Sequence, residues 1–287
     1  MLNINVSGWD GGLNLQKGER MKKDTEMIMH RFDSNIIIYP IADVHYGALE
    51  HNEAAWRSIC KEILDTPNAY VILNGDLINN ATKSSVSNIY EEAIRPREQK
   101  REMIRMLEPL RDRILCITSG NHERRSVKDV DDDPTYDIAC KLDLEDFYRP
   151  NIAFLGIGLG KRGKAESDKI CQQYRIAVTH GAGGGIYTGA AVNRNERFGN
   201  IIENIDCLIV GHTHKGTVTR PSKLVVDGKK GIVYQRDYLV ISAVSWMEYG
   251  GYAMQKMLLP SSYGKPQKLF LNYDKGHKRP TRVEVLW

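Results

Sequence analysis

No stretch of this 287-residue chain approaches the roughly twenty consecutive apolar residues that span a bilayer. The N-terminus, where Gly8, Asp10, Gly11 and Gly12 give way to lysines, lacks the apolar core of a secretory signal. Paired cysteines are missing too: Cys60, Cys116, Cys140, Cys171 and Cys207 are odd in number, scattered and never spaced as Cys-x-x-Cys, which removes zinc-finger and thioredoxin-type readings. Net charge is small, 40 Lys and Arg against 36 Asp and Glu leaving +4, so composition neither demands nor excludes a polyanionic partner. A serine nucleophile is also absent, because no Gly-x-Ser-x-Gly elbow accompanies the glycines that follow His180. These absences leave the expectation of a soluble, cytoplasmic protein with reduced thiols and no membrane partner; they say nothing of oligomeric state.

What is present is a chain 41% hydrophobic, long enough to bury a sizeable core. Unbroken apolar runs at 35–42, 69–73, 114–118, 174–179 and 207–210 read as strands covered on both faces. Helical spacing of Trp56, Ile59, Cys60, Ile63 and Leu64, and of Met103, Ile104, Leu107 and Leu110, places helices between the first three of them. The order is β-α-β-α-β, and shorter helices are expected at 136–142 and 193–202. Beyond 216 the pattern turns strand-rich, at 217–219, 224–226, 232–235, 238–244, 269–272 and 282–286, with Asp227-Gly228 as a hairpin signal. Residues 1–34 read as an extension or an added edge element, and 35–287 as a single domain.

Two glycine patterns mislead. Gly158-x-Gly160-x-x-Gly163 matches a dinucleotide fingerprint, yet charged loop follows it and no acid stands about twenty positions on. The stretch 158–164 nearly spells a phosphate-binding loop, but Ala165 stands where Ser or Thr would hold magnesium. A basic hairpin turn fits better.

The informative residues stand just past strand ends: Asp43 and His45; Asp76; Asn121 and His122; His180; His212 and His214. In an extended loop, residues two apart point the same way, so His212 and His214 can share a cavity. Carboxylate, amide and imidazole donors without thiolates suit first-row divalent ions better than calcium or a structural zinc, and they are too many for one ion.

In order, Asp43-Val-His45, Gly75-Asp76, Gly120-Asn121-His122-Glu123, His180 and Gly211-His212-Thr213-His214 resemble the signature of the calcineurin-like metallophosphoesterase superfamily. The resemblance implies an α/β fold, a four-layer α/β/β/α sandwich with two mixed β-sheets flanked by helices and a metal site at the C-terminal ends of strands. It also implies two divalent transition-metal ions, manganese first, with iron, zinc or nickel as alternatives. Asp43, His45 and His214 would hold one ion, Asn121, His180 and His212 the other, and Asp76 would bridge them. A bridging hydroxide would attack a phosphate ester, with Asp76 and His122 as the catalytic residues. His122, as a cationic imidazole, would face the scissile phosphate and protonate the leaving alkoxide. Asn121, His122 and Arg124 would touch the substrate, and Arg125 is a further arginine within reach.

One position departs from the family pattern. Asn79 stands three residues after Asp76, where an acid often orients the histidine, which leaves Glu123 as a candidate substitute. The substrate expected is a phosphate ester, with nucleic acid or a nucleotide favoured by Tyr187, Asn193, Arg194 and Arg197 after the glycine loop and by basic residues at 97–105 and 161–164. A phosphomonoesterase or protein phosphatase of the same family, a scaffold without catalysis and a nucleic-acid binder are the alternatives.

Overall fold

The computed structural model describes residues 25–83, 85, 89–160, 172–183, 185, 187–273 and 283–286. Two six-stranded sheets form its centre. One runs, in spatial order, β14 (Glu284–Leu286), β13 (Lys268–Leu271), β2 (Ile36–Ile41), β3 (Ala69–Asn74), β4 (Ile114–Thr118) and β5 (Tyr148–Arg149). The other runs β1 (Ile28–Phe32), β6 (Ile152–Leu159), β7 (Gln172–Thr179), β8 (Cys207–Val210), β12 (Leu239–Ser242) and β9 (Thr217–Thr219). Both are mixed: β2 to β5 are parallel with β13 and β14 added antiparallel, and β7, β8 and β12 are parallel between antiparallel β6 and β9.

All of β4 is buried, and β2 and β3 are buried at all but one residue each, which is why they read as apolar runs and not as alternating strands. Ile36, Ile38 and Ile72 from one sheet meet Leu155, Ile157, Ile176 and Ile209 from the other in a shared core. On the outer face of the first sheet, Tyr39, Ile41, Val71 and Leu73 lie under α1 (Glu53–Asp65), α2 (Pro96–Leu107) and, beyond α3 (Glu123–Val130), α4 (Pro134–Lys141). The second sheet presents Ala177, Leu208 and Val240 to Phe198 of α5 (Thr188–Asn200), and a single turn, α6 (Gly251–Gln255), follows later. The layers are therefore helix, sheet, sheet, helix. Each fully buried Ile or Leu contributes about 1.5–3 kcal/mol, and this core fixes the strand ends.

One element stands where the sequence pattern named none: residues 123–130 form α3, with Glu123 and Ser126 buried, Arg124 exposed and Arg125 half-buried. Residues 28–32, within the stretch read as an extension or an added edge element, form the edge strand β1 beside β6, with Ile28 in the core. Gly158 sits inside β6, so the glycine pattern there does not open a helix. The hairpin signal at Asp227-Gly228 joins β10 (Ser222–Asp227) to β11 (Ile232–Asp237). The basic turn at 161–164, Cys171, Arg282 and residues 1–24 lie outside the described residues. Among the described residues no helix is long and apolar enough to cross a membrane.

Candidate metal centre

Every motif residue follows the carboxyl end of a strand. Asp43 and His45 follow β2, Asp76 follows β3, Asn121 and His122 follow β4, His180 follows β7, and His212 and His214 follow β8. The site thus joins both sheets at the end where α/β folds bind ligands. Asn74 welds the sheets there: its Nδ2 donates to the Thr179 carbonyl at 2.9 Å and its Oδ1 accepts from Thr118 Oγ1 at 2.7 Å. The loops continue the ladder, with Asp43 N–H bonded to Gly75 O at 3.1 Å and His45 N–H to Asp76 O at 2.9 Å. Asp43, His45, Asp76, His212 and His214 all adopt positive φ, between 49° and 69°. Left-handed backbone at non-glycine residues costs on the order of 1–3 kcal/mol each and gathers where function demands it. Gly75, at φ +75°, packs so closely that a Cβ there would come within 2.6 Å of Gly120 N.

The side chains form two donor groups. In the first, His45 Nε2 faces His214 Nε2 at 3.0 Å, and Asp43 Oδ1 lies 3.3 Å from His214 Nε2. In the second, His180 Nε2 lies 3.1 Å from Asn121 Oδ1 and His212 Nδ1 lies 2.6 Å from the same oxygen. Asp76 Oδ2 stands 3.1 Å from His180 Nε2 and 3.8 Å from His45 Nε2, so one carboxylate oxygen serves both groups. Asp43, His45 and His214, and likewise Asp76, His180 and His212, bring their ligand atoms close enough to share an ion. Two imidazole nitrogens facing each other at 3.0 Å can share a proton, or could offer their lone pairs to one cation. Backbone contacts aim the rings: His180 Nδ1 meets Asn74 O at 2.8 Å, and His212 N–H donates to Asp43 Oδ2 at 2.8 Å.

Without a cation, protons hold this cluster together. Burial works against a charge on His180, but Asp76 and Asp43 carry it up to about 10. Burial likewise opposes charge on His214, and Asp43 raises it. Asp76 is driven well below the usual carboxylate range, against its burial, by His180 and His122. His180 is therefore protonated at neutral pH and must lose its proton to become a ligand. Metal affinity of the stripped protein should accordingly rise with pH across the neutral range, with protons released on binding. Calorimetric titration of manganese in two buffers of different ionisation enthalpy checks this; a buffer-independent heat would contradict it.

The model of the family described as calcineurin-like phosphoesterase matches residues 38–216, more than half of the chain and all of the motif residues. The chain belongs to that family. Similar solved structures include a calcineurin-like phosphoesterase from Bacillus subtilis, 13% identical over 88% of this chain and 91% of that one, with a TM-score of 0.35. Another is a metallophosphoesterase from Sphaerobacter thermophilus, 13% identical over 88% of this chain and 89% of that one, with a TM-score of 0.38. A comparison with curated proteins finds no match. The family makes this chain a metal-dependent hydrolase of phosphoric esters.

In this calcineurin-like phosphoesterase, His122 stands apart from the two donor groups. Its Nδ1 meets the backbone carbonyl of Asn79 at 2.8 Å, and Arg125 Nη2 lies 3.0 Å from its Nε2. It can also be grouped with His45 and Asp76 as ligands, but its Nε2 is 3.8 Å from Asp76 Oδ2 and the guanidinium beside it opposes a cation there. Burial first, with Arg125 adding to it and Asp76 opposing, holds His122 down at about 4. With a carbonyl at Nδ1 and a guanidinium at Nε2, these contacts favour the neutral imidazole, whereas the expectation from the sequence was a cationic one. Among the described residues Glu123 makes no hydrogen bond to the His122 ring. Instead its carboxylate accepts the backbone N–H groups of Asp76, Leu77, Ile78 and Gly120, at 2.6–3.2 Å, and so fixes the turn that carries Asp76.

Sequence reasoning missed what holds the Asn79 carbonyl. Asn79 Nδ2 donates to Glu92 Oε1 at 2.5 Å, Gln99 also donates to Glu92, and Asn80 N–H donates to Gln99 Oε1 at 2.8 Å. The only sequence signal was Gly47, at φ +101°, where any Cβ would collide with Gln99. Glu92→Ala should lower kcat about tenfold, through loss of His122 orientation, while leaving metal content at the wild-type level. Metal analysis beside steady-state kinetics checks this, and an unchanged kcat would remove Glu92 from the role.

Arg124 is exposed and donates to the Pro150 carbonyl, whereas Arg125 lines the cavity above the centre. The basic face expected at 97–105 is largely neutralised by its own helix: Arg97 and Arg101 pair with Glu98, and Arg105 with Glu102. Arg194 instead lines the cavity and holds the glycine loop through the carbonyls of Ala182 and Gly183.

Proposed function

We propose that this protein is a phosphodiesterase acting on nucleic acid or a nucleotide through two divalent transition-metal ions, manganese foremost. The observation that carries the reading is the pair of three-donor groups sharing Asp76 Oδ2. Asp43, His45 and His214 would hold one ion, and Asn121, His180 and His212 the other. When bound, the ions would neutralise phosphate oxygens and lower the pKa of an attacking water. Asp76 spaces the two groups, Glu123 keeps Asp76 in register, and His122 faces the place of the leaving oxygen. Arg125, at 3.0 Å from His122 Nε2, can bind a phosphate oxygen in the same movement that frees that nitrogen.

An alkyl ester, diester or monoester, leaves an alkoxide that needs a proton, and His122 is the group placed to manage one. Arg194 and Lys215 add cationic charge to the cavity lining. The test is a manganese-supplemented panel of bis-nitrophenyl phosphate, nitrophenyl phosphate, single- and double-stranded DNA, cyclic nucleotides and a phosphopeptide. Turnover of diesters ahead of the monoester and the phosphopeptide is the expected result. The reverse order would make the protein a phosphomonoesterase or protein phosphatase with the same centre.

A further inference from the structure

The cavity over the metal centre, about 720 Å³ in volume, has lining of two kinds. One part is cationic, where Arg194 and Lys215 donate to the carbonyls of the glycine loop at Gly183 and Gly185. The other is apolar, formed by Leu49, Met247, Tyr249, Leu258 and Leu259, with the carboxylates of Glu50 and Glu248 among them. Leu49, Tyr249 and Leu259 remain 64%, 41% and 51% exposed. The segment that carries them is nonetheless tied down. His51 bridges Met247, Glu248 N–H donates to Glu50 O at 2.8 Å, and the Tyr249 hydroxyl donates to Leu258 O at 2.9 Å. Ser261 Oγ donates to the carbonyl of His214 at 2.8 Å, so this wall is fastened to a residue of the centre itself. Bare apolar surface held in place beside a polar centre marks a contact surface.

We propose that this wall is a subsite for the base of a nucleoside joined to the phosphate at the centre, so that the substrate is a nucleotide-sized diester and not a duplex. The inference rests on the phosphodiesterase reading above. Tyr249 offers a half-exposed ring whose far end is anchored through its hydroxyl, which suits stacking. Glu50 and Glu248 can accept from the ring N–H or exocyclic amino group of a base, although Glu248 already accepts from Asn52 Nδ2 at 2.6 Å. The same carboxylates repel further phosphates, and a duplex would bring a charge about every 1.7 Å along its axis. An acyl chain would leave them desolvated against methylene groups, so it fits less well.

The experiment compares two diesters with one leaving group on the manganese-loaded enzyme: the nitrophenyl ester of thymidine 5′-phosphate, and methyl nitrophenyl phosphate, which has no base. Stacking on an aromatic side chain corresponds to roughly 5- to 150-fold in binding. The wild type should therefore prefer the thymidine ester by about tenfold or more in kcat/KM, chiefly through KM. Tyr249→Ala should lower kcat/KM about tenfold more on the thymidine ester than on the methyl ester, and Tyr249→Phe should restore most of the preference. Saturation-transfer NMR of thymidine alone on the metal-free protein should give a signal that Tyr249→Ala weakens. Equal turnover of the two diesters by the wild type, or equal losses on both in Tyr249→Ala, overturns the subsite and leaves the phosphodiesterase reading standing. Turnover of nitrophenyl phosphate with neither diester cleaved overturns that reading and the subsite with it.

Discussion

Asp76→Asn is expected to lower kcat/KM on bis-nitrophenyl phosphate by on the order of 1000-fold or more, the largest loss from any single change at the site. In the centre proposed above, Asp76 is the ligand that would serve both donor groups, because its Oδ2 stands between His45 and His180. The substitution is nearly isosteric. The bond from His122 N–H to Oδ1, 2.8 Å in the wild type, can persist, and Glu123 still holds the turn through the backbone. The protein should therefore fold while losing the one negative charge that spaces two cations. Metal analysis after manganese loading should find fewer than two ions per chain, and a thermal melt should confirm folding. Near-normal turnover with two ions retained would sink the shared-carboxylate assignment.

Much of this was legible because the strands are buried on both faces, so runs such as those of β2 and β4 announced themselves without periodicity. The candidate ligands stood just past those runs, where a buried strand must break into loop. What escaped notice was of other kinds. The acceptor for His122 is a backbone carbonyl, which every residue has, so nothing in the side chain of Asn79 advertised it. Glu92 and Gln99 act across a fold contact that Gly47 alone permits. The wall around Tyr249 has no helical or strand period to read. The neutralised face of α2 was within reach, since Glu98 and Glu102 each lie three residues before an arginine they pair with. The protonation of His122 could not be read at all, since it depends on burial and on Arg125 one helical turn away.

The protonation of the ring decides what His122→Ala should do. The ring now has Asn79 O at Nδ1 and Arg125 at Nε2, an arrangement that suits the neutral imidazole held at about 4 by burial first and by Arg125. To act as an acid, Nε2 must gain a proton and be released by Arg125. An anionic phosphate beside both groups favours that outcome, since it stabilises an imidazolium and offers the guanidinium a better acceptor. The protonated form is then a product of substrate binding and not a property of the resting site. His122→Ala should retain wild-type metal content, because neither donor group needs its ring. It should slow diesters with alkoxide leaving groups by about 100-fold or more, and nitrophenyl esters, whose leaving group scarcely needs a proton, by no more than about tenfold. Rates on a series of esters with graded leaving-group pKa, plotted for both proteins, read the difference directly: the variant should show the steeper dependence. Parallel lines would take His122 out of proton transfer and leave it, with Arg125, as a contact for the phosphate alone.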